Sequence, residues 1–309
     1  MILGTGLVLG ALVITVVGPR YLRRLVSSVS PAVALVAWMA SAATAVLAGL
    51  VGALVLAVPG AARADGLIGM ARVCVNAVGA GRGLPWLHAT GVVLAVVSLA
   101  ALARVMLVGV LLFRTDQRLR VDRLALLRTV ARDRDGVLWL EDGRPLAFSV
   151  AGRPGAVVAT DGVGRLAAAR CAAVLAHERA HLRGHHHQLV LLAETAARAL
   201  PLLPLCRDLP AAVRVLVEGA ADDAAAARCG ADVVSGALGE VAHAAVPTGS
   251  LGAADYSVDA RQLWLNRRPD RSGRRSTAAR MLVAAVSTMP ALASVAGSAG
   301  MAAVACLTG

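Results

Sequence analysis

His177-Glu178-Arg179-Ala180-His181 sets two imidazoles four residues apart around a carboxylate. On a helix, residues at that spacing share one face, so both rings can reach a single metal ion. Zinc suits a pair of imidazoles, and the glutamate between them is placed to take a proton from water activated there. Further along the chain, Glu218 and Asp222 form a second pair at the same helical spacing.

Two residues compete for the place of third ligand. Reading on from His177 through Gly184 to His187 satisfies H-E-x-x-H-x-x-G-x-x-H, the metzincin spelling, in which a glycine turns the chain so that a third histidine reaches the metal. The rival is Glu218, the gluzincin arrangement, with the ligand on a second helix. Metzincins also need a methionine turn beneath the metal, and here no methionine lies between Met106 and Met281. Glu218-Gly-Ala-Ala-Asp222 gives both acids work: Glu218 binds the ion and Asp222, one turn on, orients a histidine ligand. Glu218 is therefore the favoured ligand. His185, His186 and His187 then read as an exposed run at the end of the helix, near the membrane interface. Asp223 points about 100° away from Asp222 on a helix and reads as a surface charge. His88 and His243 are lone histidines, expected to be solvated or capping.

The elements that must carry these residues are legible in the surrounding pattern. Residues 137–140, 145–150 and 156–160 are short β-prone runs separated by Glu-Asp-Gly-Arg and Gly-Arg-Pro-Gly turns. A helix over about 164–187 carries the histidine pair, and another over about 210–229 carries Glu218 and Asp222. A small sheet followed by two ligand-bearing helices is an α+β arrangement.

Composition sets this domain beside a membrane. Of 309 residues, 58% are hydrophobic and only 3% aromatic, with mean hydropathy +0.70. Soluble domains lie nearer 45–50% apolar. Residues 2–17, 32–58, 92–113 and 281–307 read as four transmembrane helices. The apolar stretch 189–206 holds Glu194, Arg198, Pro201 and Pro204, and reads as a helix against the protein or the membrane surface. Arg104 lies inside the third span, where a charge needs a partner, and packing against the catalytic region is expected. The domain organisation follows: 1–113 a membrane domain, 114–280 a metal-binding domain, 281–309 a last span.

The net charge of +12 comes from 31 basic residues, all arginine. No basic motif interleaved with aromatics accompanies it, so direct nucleic-acid binding is not expected. Arginines flanking spans and meeting anionic membrane lipids account for it better. Arg20, Arg23 and Arg24 in the first loop, and Arg114, Arg118, Arg120 and Arg123 after the third span, turn those regions to the cytoplasm. Cys74, Cys171, Cys206, Cys229 and Cys306 show no C-x-x-C spacing and read as small buried hydrophobes.

Val174-Leu-Ala-His-Glu-Arg-Ala-His-Leu, Leu200-Pro-Leu-Leu-Pro-Leu and Glu218-Gly-Ala-Ala-Asp-Asp-Ala-Ala resemble the membrane metallopeptidases of the BlaR/MecR type, over about residues 148–227. The order of three spans, catalytic domain and last span resembles that family too, and the related HtpX-type peptidases share H-E-x-x-H…E-x-x-A-D. The resemblance implies an α-helical membrane protein with a mainly α, zincin-type metallopeptidase domain facing the cytoplasm. It implies Zn2+ on His177, His181 and Glu218, Glu178 as the general base, Asp222 behind a ligand, and a protein or peptide substrate. In sensing members that substrate is a winged-helix repressor of the BlaI type, and a penicillin-binding sensor follows the last span. The sensor is expected to be lacking here. Membrane quality control, and a non-catalytic zinc-binding receptor, are the alternative roles. In both families an arginine precedes the last segment, and Arg261 in Asp259-Ala-Arg-Gln-Leu falls there, as a substrate or transition-state contact.

Overall fold

In the computed structural model, which describes residues 2–26, 29–57 and 85–245 together with Arg261 and Leu265, the chain is mostly helical. Helices α1 (Ile2–Val26), α2 (Pro31–Ala57) and α3 (Pro85–Val130) come first. Each contains a stretch long and apolar enough to cross a membrane: Gly4–Val26, Pro31–Leu56 and Val92–Val130. The chain is accordingly a membrane protein with three candidate spans among the described residues. The expected fourth, 281–307, lies outside them.

The first helix runs past residue 17, where apolar sequence gives way to Arg20, Arg23 and Arg24, because helical hydrogen bonding does not need apolar side chains. Its start packs against the end of α2 through glycines. A Cβ on Gly52 would lie 2.9 Å from the Gly4 carbonyl oxygen and 2.9 Å from the Leu7 Cβ. Small residues here let two apolar helices approach at backbone distance. At about 1.5 Å per residue, the 46 residues of α3 extend about 69 Å, roughly twice the hydrocarbon thickness of a bilayer. The helix thus passes through 113–114 without a break, joining the span to the region below it.

A four-stranded sheet follows: β1 (Arg132–Arg134), β2 (Val137–Leu140), β3 (Ala147–Val150) and β4 (Ala156–Thr160), in the order β1-β2-β4-β3. β2 and β4 run parallel, with Val137 opposite Val157, and the other two pairings are antiparallel. β4 is buried at every residue, whereas β3 is an edge strand. Two differences from expectation stand out. β1 is an exposed Arg-Asp-Arg strand that no apolar alternation could announce; it pairs with β2 across the Asp135-Gly136 turn, where both residues have positive φ. The run expected over 145–150 starts at Ala147, because Pro145 has no N–H to donate to a ladder.

The remaining helices are α4 (Asp161–Gly164), α5 (Ala168–Arg183), α6 (His186–Ala199), α7 (Pro204–Cys229) and α8 (Ala231–Ala245). The helix expected over 164–187 is therefore two, broken at Gly184 and His185. The one expected from 210 starts six residues earlier, with Pro204 in the first turn, where a missing N–H costs nothing. Pro210 sits inside α7 and forfeits one intrahelical bond. Burial of its neighbours Leu209 and Val213 outweighs that loss. Residues 189–206 are the body of α6 and the first turn of α7, separated by a short turn, and form no span.

The largest core joins membrane helices to the ligand-bearing helix. Ile14 and Leu22 of α1 and Trp38 of α2 pack with Ala193 of α6 and with Leu205, Leu209, Val213 and Leu216 of α7. The α7 residues recur at helical spacing along one face. Arg104, on α3, donates to the Arg198 carbonyl oxygen at 3.2 Å, so it packs against α6. The side chains of His88 and His243, and Cys74 and Cys306, lie outside the described set. Cys171, Cys206 and Cys229 are free; Cys206 is buried, and the other two are half-buried.

Candidate metal centre

Alanine-rich sequence makes α5 a helix with little help from its surroundings. His177 and His181 project from one face of it, ring centroids 4.8 Å apart. Opposite them α7 supplies Glu218, and the small buried residues Gly219, Ala221, Ala225 and Ala226 let α5 and α7 come close. The Nε2 atoms of His177 and His181 are 3.0 Å apart. Glu218 Oε2 is 3.5 Å from His177 Nε2, and Glu218 Oε1 is 3.5 Å from His181 Nε2. Around a tetrahedral ion with ligands at about 2.05 Å, neighbouring donors stand about 3.3 Å apart. The observed triangle has that size, and two imidazole nitrogens so close need a proton or a cation between them. Among the described residues, His177, His181 and Glu218 form the group that can hold a metal ion.

His187 takes another part. Its Nε2 is 3.4 Å from Ser149 Oγ on β3, and the Ser149 hydroxyl donates to the Glu178 carboxylate. The expected exposed run is corrected on two counts: His186 is buried, His187 half-buried, and only His185 is exposed. The break between Arg183 and His186 leaves the second histidine buried and the third half-buried. Asp223 is half-buried rather than at the surface, since α7 is enclosed along much of its girth.

Behind the triangle lies a charged support. His177 Nδ1 is 2.9 Å from Asp222 Oδ1, and Asp222 is 3% exposed. Arg261 grips the same carboxylate with Nε to Oδ2 and Nη2 to Oδ1, each 2.7 Å, and places Nη1 3.4 Å from Glu218 Oε2. Such two-pronged, charge-assisted pairing fixes orientation as well as charge. Arg261, carried by resemblance alone in the sequence, thus joins the site.

These contacts set the protonation states. Burial opposes charge on His177, but the hydrogen bonds to Asp222 and Glu218 prevail and raise it to about 9. Burial likewise pushes Asp222 upward, and Arg261 with His177 overrides it, down to about 2. His181 has no such anchor, and burial lowers it to about 4. Burial raises Glu178, with the Ser149 bond and His177 pulling the other way. A carboxyl group raised above its ordinary range is suited to accept and return a proton.

The site opens into a cleft of about 700 Å³, walled by Phe148 and Ser149 of β3, by α6, and by Leu112, Thr115 and Leu119 of α3. A second cavity of about 210 Å³ adjoins His177, Glu178, Glu218, Asp222 and Arg261, with Ala173, Val174, Val234 and Leu238 among its apolar walls. Sequence reasoning missed Ser149, a lone serine in a β-prone run with nothing to mark it. It also missed the inward turn of His186; the triple histidine was visible, but which ring faces inward depends on the turn before it.

No protein-family model, curated protein or solved structure matches this chain.

Proposed function

We propose that this chain is a membrane-integrated zinc endopeptidase of gluzincin type that hydrolyses peptide bonds in a protein substrate. The observation that carries the reading is Glu178: a carboxylate raised by burial, held by Ser149, in the cleft beside a His-His-Glu triangle of tetrahedral dimensions. Two imidazoles and one carboxylate are a zinc donor set that leaves a position open for reactants. Zinc, when bound there, supplies Lewis-acid chemistry: it acidifies water and polarises a carbonyl.

The chain's own residues do the rest. Glu178 accepts the proton of the attacking water on its carboxylate and returns it to the departing amine. Ser149 keeps one lobe of that carboxylate occupied, so that the other faces the cleft. Asp222 and Arg261 hold the His177 ring with Nδ1 protonated and Nε2 free. Ser149, on the strand that forms the sheet edge among the described residues, offers backbone groups alongside which an extended peptide can lie.

Within this class the first reading is a regulatory protease acting in the cytoplasm on a repressor of the BlaI type. A second reading, cleavage of membrane proteins, is favoured by the α3 wall: Leu112, Thr115 and Leu119 continue the helix that holds the third candidate span. The deciding experiment is Glu178→Gln in cells, with quantitative proteomics of soluble and membrane fractions. A repressor that accumulates uncut supports the first reading, and membrane proteins accumulating support the second. An unchanged proteome, with substrate processing at the wild-type rate, would make the chain a zinc-binding receptor.

A further inference from the structure

The turn between α5 and α6 brings a third imidazole onto the metal centre. His186 is 7% exposed, and its Nδ1 lies 3.0 Å from the Nδ1 of His181, the rings edge to face at 89°. Two features of the turn aim it there. His185 adopts φ +51°, a conformation that costs a non-glycine residue of order 1 kcal/mol or more and persists only where the surroundings impose it. Gly184 has an ordinary φ of −79°, so what it supplies is room: a Cβ there would lie 2.4 Å from His186 Nε2.

We propose that His186 is a positioning residue for His181, accepting its Nδ1–H and thereby committing its Nε2 lone pair to the metal. The inference rests on reading His177, His181 and Glu218 as a metal site. His181 Nε2 is the nitrogen that faces the other two donors, at 3.0 and 3.5 Å, so the proton of a neutral His181 ring must sit on Nδ1. The Nδ1 of His186 receives it; two such nitrogens at 3.0 Å share one proton, since neither two bare lone pairs nor two N–H groups can face each other there. Asp222 does this for His177, so the two ligands have unlike partners: a carboxylate clamped by arginine, and a neutral ring. The choice fits the charges. Glu178, Glu218 and Asp222 already crowd the centre against the Arg261 guanidinium, and a further buried carboxylate would be costly without a cation of its own.

The test is metal affinity, not turnover. Full-length protein in detergent is stripped of metal, and Zn2+ and Co2+ are titrated in competition with a chromophoric chelator. His186→Asn places an amide oxygen on Cγ, where the imidazole carries Nδ1. His186→Gln moves that oxygen one carbon further out, and His186→Leu offers no acceptor. Expected is affinity for Asn within about threefold of wild type, and for Gln and Leu a loss of about 10–100-fold, the usual range when a ligand's hydrogen-bond partner is removed. The Co2+ absorption bands of Asn should match those of the wild type. Gln better than Asn, the order that filling volume would give, or Leu equal to wild type, overturns the proposal. Should the Leu protein fail to fold, the Asn–Gln comparison still decides. A wild-type protein that binds no metal overturns the metal centre itself, a failure distinct from the other two.

Discussion

The Nδ1 of His177 and the Oδ1 of Asp222 lie 2.9 Å apart, on helices packed through Ala173, Ala176, Ala225 and Ala226. The bond presets one ring nitrogen for a ligand's role, and Arg261 makes the carboxylate rigid. Asp222→Asn keeps the acceptor but loses the ion pair, so metal affinity should fall about 10–100-fold, measured by chelator competition in detergent. Unchanged affinity would remove Asp222 from the site's support.

Metal uptake should depend on pH through His177. In the metal-free protein this ring stays protonated until about pH 9, raised from 6.5, and a metal must displace that proton. Between those values, affinity is expected to rise by up to about tenfold per pH unit, with about one proton released per ion, and to level off above 9. Stability of the metal-free protein runs the other way: the contribution of charged His177 is full below 6.5 and lost as pH rises through 9. Calorimetric titration in two buffers of different ionisation enthalpy counts the proton; a count of zero contradicts the His177–Asp222–Glu218 arrangement as described.

Ser149→Ala tests the hold on Glu178, the proposed general base. The hydroxyl stabilises the Glu178 carboxylate, so its loss should raise that group further. With a cleaved substrate in hand, the acid limb of kcat/KM should move to higher pH while metal affinity stays within a few-fold. An unmoved profile would mean that Ser149 does not act through Glu178.

Leu205 is fully buried where α7 meets the membrane helices. Leu205→Ala should cost about 2–5 kcal/mol, read from thermal unfolding in detergent. Gly52→Leu should be at least as damaging, because no side chain fits between α2 and the Gly4 backbone. A Gly52→Leu protein with wild-type melting would show that α1 and α2 do not pack closely in the membrane.

Much of this was readable from the sequence because its signals were local. The histidine pair and the acid pair each follow from four-residue spacing, and three apolar runs from length and hydropathy. Strands β2 and β4 were legible as apolar runs between turns. What escaped depended on three-dimensional contacts and turn geometry rather than on residue pattern. β1 is charged and exists through its pairing with β2; Ser149 matters because β3 lies beside α5; and His186 faces inward because Gly184 leaves room for its ring. Arg261 had no local mark and joined the site through its grip on Asp222, 39 residues away.

The shared core of α1, α2 and α7 makes the metal centre dependent on insertion. Cut away from the first two helices, α7 would present Leu205, Leu209, Val213 and Leu216 to water, a continuous apolar stripe on the helix that bears Glu218. Such a fragment would aggregate or close on itself, and the triangle would lose its third corner. The triangle is thereby tied to place: a chain whose first two helices fail to enter the bilayer leaves α7 without the packing that holds Glu218 against the two histidines.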